Sequence, residues 1–153
     1  MIIEEAGIGD AEEILVLQKA AYESEAELYN DHTLPPLIQT LGGIEADFGR
    51  QLFLKAVEEG EIIGSVRGYQ EEGTCYIGRL IVRPDLQGKG IGSMLMDEIE
   101  DRFAQADRFE LFTGHRSEKA LHIYAKRGYE VCRTEPIHDG LTLVYLEKRK
   151  IAG

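Results

Sequence analysis

A chain of 153 residues, 43% apolar and 29% charged, has the size and composition of one globular domain, which excludes wholesale disorder. Its net charge of −11 argues against general nucleic-acid binding, because a phosphate backbone demands Lys and Arg. Two distant cysteines, Cys75 and Cys132, give neither a CxxC nor a disulfide framework.

Ile2 to Glu5 reads as a short strand, and its acids interrupt the apolar run that an export signal needs. No later stretch reaches the ~20 apolar residues that span a bilayer. The expectation is one cytoplasmic domain over residues 1–153, without membrane contact. Asp10-Ala-Glu-Glu13 has the form of a capping box opening a helix, with Ile14, Leu17 and Ala21 on one face and an end near Tyr29. Pro35-Pro36 breaks it, and a second short helix takes Leu37, Ile38 and Leu41 before Gly42-Gly43. Gln51–Val57 and Ile62–Tyr69 flank a Glu-Glu-Gly-Glu turn as a hairpin, and Tyr76–Val82 is the next strand. After a Gly-rich turn comes a helix with Ile91, Leu95, Ile99 and Phe103 on its apolar face. Phe109–Thr113 alternates as a strand. Ser117 caps a helix through Lys126, with Gly128 at its C′ position. Tyr129–Thr134 and Leu141–Glu147 close the chain. The order β-α-α-β-β-β-α-β-α-β-β predicts an α/β fold with a single central mixed, mostly antiparallel sheet flanked by helices.

The segment Leu80-Ile-Val-Arg-Pro-Asp-Leu-Gln87-Gly-Lys-Gly90-Ile-Gly92-Ser carries the strongest chemistry. Strand, glycines, then helix presents free backbone N–H groups and a helix dipole to an anion. Glycine lets the backbone approach a phosphate with no Cβ in the way. A plain strand-to-helix turn would show the same spacing. A P-loop is excluded because Gly90 follows Lys89, and a dinucleotide GxGxxG because Ser93 stands where its last glycine belongs.

Gln87-x-x-Gly90-x-Gly92 after Leu80-Ile81-Val82 resembles the Q/R-x-x-G-x-G/A loop of the GNAT superfamily of acyl-CoA-dependent N-acetyltransferases. Ser117-x-x-Ala120-x-x-x-Tyr124-x-x-x-Gly128-Tyr129 resembles its N-x-x-A-x-x-x-Y-x-x-x-G-F/Y segment, with Ser117 in place of the usual Asn. The resemblance covers essentially the whole chain. It implies an N-acetyltransferase that moves an acetyl group from acetyl-CoA directly to the primary amine of a small molecule, with no metal. A protein N-terminal or lysine acetyltransferase, or a non-catalytic acyl-CoA-binding sensor, are the alternatives. It further implies that the amides of Gln87, Gly88, Lys89, Gly90, Ile91, Gly92 and Ser93 hold the CoA pyrophosphate. Leu80, Ile81 and Val82 would pair with the pantetheine arm and offer an oxyanion donor. Ser117 stands at the cofactor-bonding Asn, and Tyr124 would protonate the departing thiolate.

A thioester is already activated, so proximity, an oxyanion donor and proton management suffice. A free alkylamine has a pKa near ~10, so at neutral pH a base must take its proton. His115, between a strand and the Tyr124 helix, is the candidate, unless it only orders its turn. Glu23, Glu25 and Glu27 are alternatives, unless they form a solvated helix face; Glu71 and Glu72 decorate a turn, and His122 points away from the Tyr124 face. HExxH, GxSxG and paired Cys/His spacings are absent, which predicts neither zinc nor serine-hydrolase chemistry. Residues 1–75 carry a net −12 and residues 76–153 a net +1. That split predicts a basic amine as acceptor over an anionic one, although a merely solubilising acidic surface has the same composition. A homodimer is compatible with such a chain.

Overall fold

Three layers follow from alternating strands and amphipathic helices. In the computed structural model, which describes residues 1–150, seven strands form one sheet. They are β1 (Ile2–Glu5), β2 (Leu52–Glu58), β3 (Glu61–Glu71), β4 (Thr74–Val82), β5 (Arg108–Gly114), β6 (Glu130–His138) and β7 (Leu141–Arg149). Their spatial order is β1-β2-β3-β4-β5-β7-β6, and every neighbouring pair is antiparallel except β4 with β5. Helices α1 (Ala11–Tyr29), α2 (Pro35–Ile38) and α3 (Leu41–Phe48) precede β2. Helix α4 (Ile91–Arg102) makes the crossover from β4 to β5, and α5 (Glu118–Lys126) leads from β5 to β6. Among the described residues no helix is long and apolar enough to cross a membrane.

Each sheet face buries its own core. Leu54, Val66, Cys75, Leu95, Met96 and Ile99 fill one, under α4; Ile14, Leu17, Ile44, Phe53 and Ile81 fill the other, under α1 and α3. Strand β3 is buried continuously from Ile62 to Gly68, as befits a strand covered on both faces.

Two local expectations change. Asp10 stands at the α1 N-cap position, but its carboxylate accepts from the Gly7 N–H and from Lys55 Nζ, both at 3.0 Å. Glu13 accepts from the Ile62 N–H at 2.8 Å, so the predicted capping box is spent on the preceding turn and on the sheet. Between α1 and β2 there are two helices where one was predicted. Thr40 caps α3 by accepting from the Gly43 N–H at 3.0 Å, which outweighs the low helix propensity of Gly42 and Gly43 in its first turn.

Two irregularities in β4 prepare the site. Its parallel ladder with β5 runs only from Thr74↔Arg108 to Tyr76↔Glu110, while β5 stays paired with β7 through Gly114. Beyond Tyr76, β4 therefore leaves β5 and the sheet opens. On its other side, β4 spends an extra residue between Gly78↔Arg67 and Ile81↔Ser65, with Arg79 at a φ of +50°. Such a bulge bends the strand and re-aims a side chain.

Candidate active site

At the open end of β4, Pro84–Leu86 forms one 3₁₀ turn, and Gly88 and Gly90 take φ of +81° and +86° before α4 begins. Nothing lies within 4 Å of where a Cβ would stand on either glycine. Among the described residues, no protein acceptor takes a backbone N–H from Gln87 through Ser93; the α4 ladder starts with Met94 N–H on the Gly90 carbonyl at 3.1 Å. A run of unspent amides at a helix N-terminus, beside exposed Lys89, has the donors that an anion would take. The Gln87 side chain turns back, donating to the Val82 carbonyl at 3.4 Å. Ile81 is buried in the α1-side core, whereas Leu80 and Val82 pack half-buried towards α4 and α5.

Tyr124 on α5 is only 7% exposed, its ring 5.9 Å from that of Tyr129. Among the described residues its hydroxyl makes no hydrogen bond. Burial foremost, then Tyr22 and Glu25, pushes its pKa well above that of an ordinary phenol, so it holds its proton.

Ser117 occupies the N-cap position of α5 without capping it. Its hydroxyl donates to Glu25 Oε2 at 2.6 Å and accepts from the Tyr29 hydroxyl, also at 2.6 Å. Tyr29 in turn accepts from the Arg116 N–H at 2.9 Å. The carboxylate end fixes the direction of every proton in this relay. With its one proton committed, Ser117 has only a lone pair to offer a cofactor. Gly114 makes the relay possible, because a Cβ there would overlap the Tyr29 ring and hydroxyl. Gly114→Ala is therefore expected to displace Tyr29 and lower stability by about 1–3 kcal/mol, the usual cost of overpacking. Urea denaturation checks this; an unchanged midpoint would contradict the packing described.

His115 is exposed, and its Nδ1 accepts from the Thr142 N–H at 3.0 Å while its own N–H donates to the Thr142 carbonyl at 2.9 Å. The lone pair that a base would use thus ties the β5–α5 turn to β7. Glu23 and Glu27 are exposed on α1, as are Glu71 and Glu72 at the β3–β4 turn. Of the α1 candidates, Glu25 is the one that joins this relay, through Ser117.

Residues 19–150 match the family profile described as an Acetyltransferase (GNAT) domain. The chain belongs to the GNAT acetyltransferase family. It is 30% identical over 144 residues to the UPF0157 protein YqkA of Bacillus subtilis, covering 92% of this chain and 41% of that protein. It is also 30% identical over 86 residues to the uncharacterized protein YdhI of the same organism, covering 55% of this chain and 52% of that one. The chain thus spans about half or less of these relatives. Among solved structures, the ribosomal-protein-S18-alanine N-acetyltransferase of Escherichia coli superposes with a TM-score of 0.81 at 16% identity, covering 99% of this chain and 96% of that one. A GNAT-family acetyltransferase of Streptococcus pneumoniae gives 0.76 at 22%, with 97% and 99% covered. The PaiA N-acetyltransferase of Thermoplasma acidophilum in complex with coenzyme A gives 0.68 at 19%, with 98% and 100% covered. These three are likenesses of fold.

On the α1 side, this GNAT domain carries a polar cluster that sequence reasoning missed. Arg67 is 4% exposed; it donates to Asp47 at 2.6 Å and Gln18 at 2.7 Å, and lies 4.4 Å above the Phe53 ring. Burial and then Arg79 lower its pKa to about 10, which still leaves it charged at neutral pH. Arg79 donates to Gln39 Oε1 at 3.0 Å. Both arginines line a cleft of about 330 Å³ where β4 and β5 part. The charge split predicted a cation-attracting cleft, but the acids at Glu12, Glu23 and Glu27 face solvent on α1. Composition counts charges and is blind to where they point. One signal was present: Arg67 interrupts an otherwise apolar strand, and Gln18 an apolar helix face.

Proposed function

We propose that this domain moves an acetyl group from acetyl-CoA directly to the primary amine of a small molecule. The observation that carries this reading is the run of unspent amides from Gln87 to Ser93 at the head of the gap where β4 leaves β5. Bound acetyl-CoA supplies an acyl group already activated for attack, so the protein need only position, polarise and manage protons. The amides of Gln87–Ser93 and the Lys89 ammonium suit the pyrophosphate, and the open space beside Gly88 and Gly90 supports that fit. The unpaired edge at Leu80–Val82 suits an amide-bearing arm added as a strand would be, with one N–H serving the carbonyl oxygen. Tyr124 holds the proton for the leaving thiolate. Glu25, with one oxygen on Ser117 and the other without a partner among the described residues, takes the ammonium proton in place of His115.

Release of free thiol from acetyl-CoA, measured against a panel of small amines and an N-terminal peptide, tests the reading. Turnover is expected with small amines. Glu25→Gln is expected to lose about 10²–10⁴ of it near neutral pH and to recover as pH nears ~10, where the amine sheds its own proton. Turnover with the peptide alone would move the reading to a protein acceptor, and CoA binding without any thiol release would make the domain a sensor.

A further inference from the structure

The charges around the cleft do not cancel. Asp47 accepts from Arg67, from Gln39 at 2.7 Å and from Arg50 at 3.1 Å, so its oxygens are occupied. Glu110 lines the same cleft but pairs with Arg108 at 2.6 Å and Arg133 at 3.8 Å. Among the described residues, eight of the ten arginines pair with a carboxylate. Of the other two, Arg116 is exposed and donates to the Leu28 carbonyl at 3.2 Å. Arg79 is half-buried, and its one protein acceptor is the Gln39 oxygen, which Gln18 also uses at 3.0 Å. Burial lowers its pKa against the opposing pull of Tyr22 and Asp47, neither of which hydrogen-bonds to it. The bulge in β4 aims it: with φ at +50°, Arg79 lines the opening between β4 and β5.

A partly desolvated guanidinium without a counter-ion is a receptor for a planar anion, because its fork matches a carboxylate with two parallel hydrogen bonds. The rest of the cleft says what that carboxylate is attached to. Tyr69 and Tyr76 stack at 5.2 Å on one wall, and Phe112 and Tyr145 sit 5.3 Å apart on the other. Phe112 is 54% exposed, an aromatic surface offered to the cleft mouth rather than to the core. We infer that Arg79 binds the carboxylate of the acceptor, and that the acceptor is a small amino acid with an aromatic or bulky apolar body. This rests on the acetyl-transfer reading and reverses the expectation of a basic acceptor.

Phenylalanine, phenethylamine and a diaminobutane separate the alternatives, since the first two differ only in the carboxylate. The wild-type domain is expected to favour phenylalanine over phenethylamine in kcat/KM by about 10- to 100-fold, the worth of a hydrogen bond to a charged group. In Arg79→Gln that ratio is expected to collapse towards one, through KM. In Arg79→Lys, a point charge without the fork, it is expected to fall several-fold. Should the glutamine variant fail to fold, the lysine variant decides, and an unchanged ratio there overturns the inference. Better use of phenethylamine or the diamine by the wild type also overturns it, while leaving acetyl transfer intact. Calorimetric binding of N-acetylphenylalanine, which needs no turnover, gives a readout if no amine is acetylated. Binding lost in Arg79→Gln supports the carboxylate site even then, and binding indifferent to it sinks the inference.

Discussion

Tyr124→Phe is expected to cut turnover by about 10²–10⁴, the range for loss of a general acid, while CoA binding persists. The substitution keeps the ring that packs beside Tyr129 and removes only the hydroxyl, which makes no hydrogen bond among the described residues. The direction of the pKa shift sharpens the expectation. Burial raises the phenol's pKa, so the group stays protonated below that raised value and keeps a proton to give through neutral and mildly alkaline pH. Any fall in wild-type rate below pH ~10 must then come from another group, since even an unperturbed tyrosine titrates only there. Steady-state turnover with a good acceptor, alongside CoA titration, checks both halves. Equal rates for the two proteins would leave Tyr124 a packing residue.

Gly90→Val is expected to abolish CoA-dependent stabilisation. In the wild type, CoA at a hundredfold excess over its Kd should add about 2.7 kcal/mol to unfolding stability. Gly90 sits at a φ of +86°, where a β-branched side chain costs of order 1–3 kcal/mol. The chain relieves that strain by turning the peptide planes that aim the amides of Lys89 to Gly92. No protein atom crowds the added Cβ, so the lesion falls on backbone direction and on the open space that the anion would need. Denaturation with and without CoA separates the two effects. A folded variant with undiminished CoA stabilisation would remove the loop from the binding site.

What the sequence made legible was what the backbone demands locally. The glycines before α4 and the C′ glycine after α5, at a φ of +91°, announce positive φ in a single residue type, and both were placed correctly. Strand and helix periods did the same for the seven strands and for α1, α4 and α5. Other side chains take partners far along the chain. Asp10 and Glu13 look like a cap but find Lys55 and Ile62 across the fold. Ser117 looks like a cofactor ligand but gives its proton to a residue 92 positions away. His115 looks like a base until Thr142 of β7 claims its Nδ1. Arg67, Arg79, Gln39 and Asp47 meet only because α2 and α3 fold over β3 and β4, and no spacing rule connects them. Side-chain partners chosen over such distances are tertiary information.

The parting of β4 from β5 has a consequence for how selectivity is divided within this domain. Along Leu80–Val82 the side chains go to the two cores, Ile81 one way and its neighbours the other, and the exposed margin is bare main chain. Whatever lies there is read by the rhythm of amides and carbonyls, which nearly every residue type provides alike. Proline at these positions would silence a donor, whereas exchanges among Leu, Ile and Val would leave the script intact. Discrimination among acceptors would therefore fall to the other wall, where a guanidinium and four aromatic rings carry chemistry that single substitutions can rewrite. Two halves of one cleft can drift at different speeds, the first held by backbone geometry and the second free to change its client.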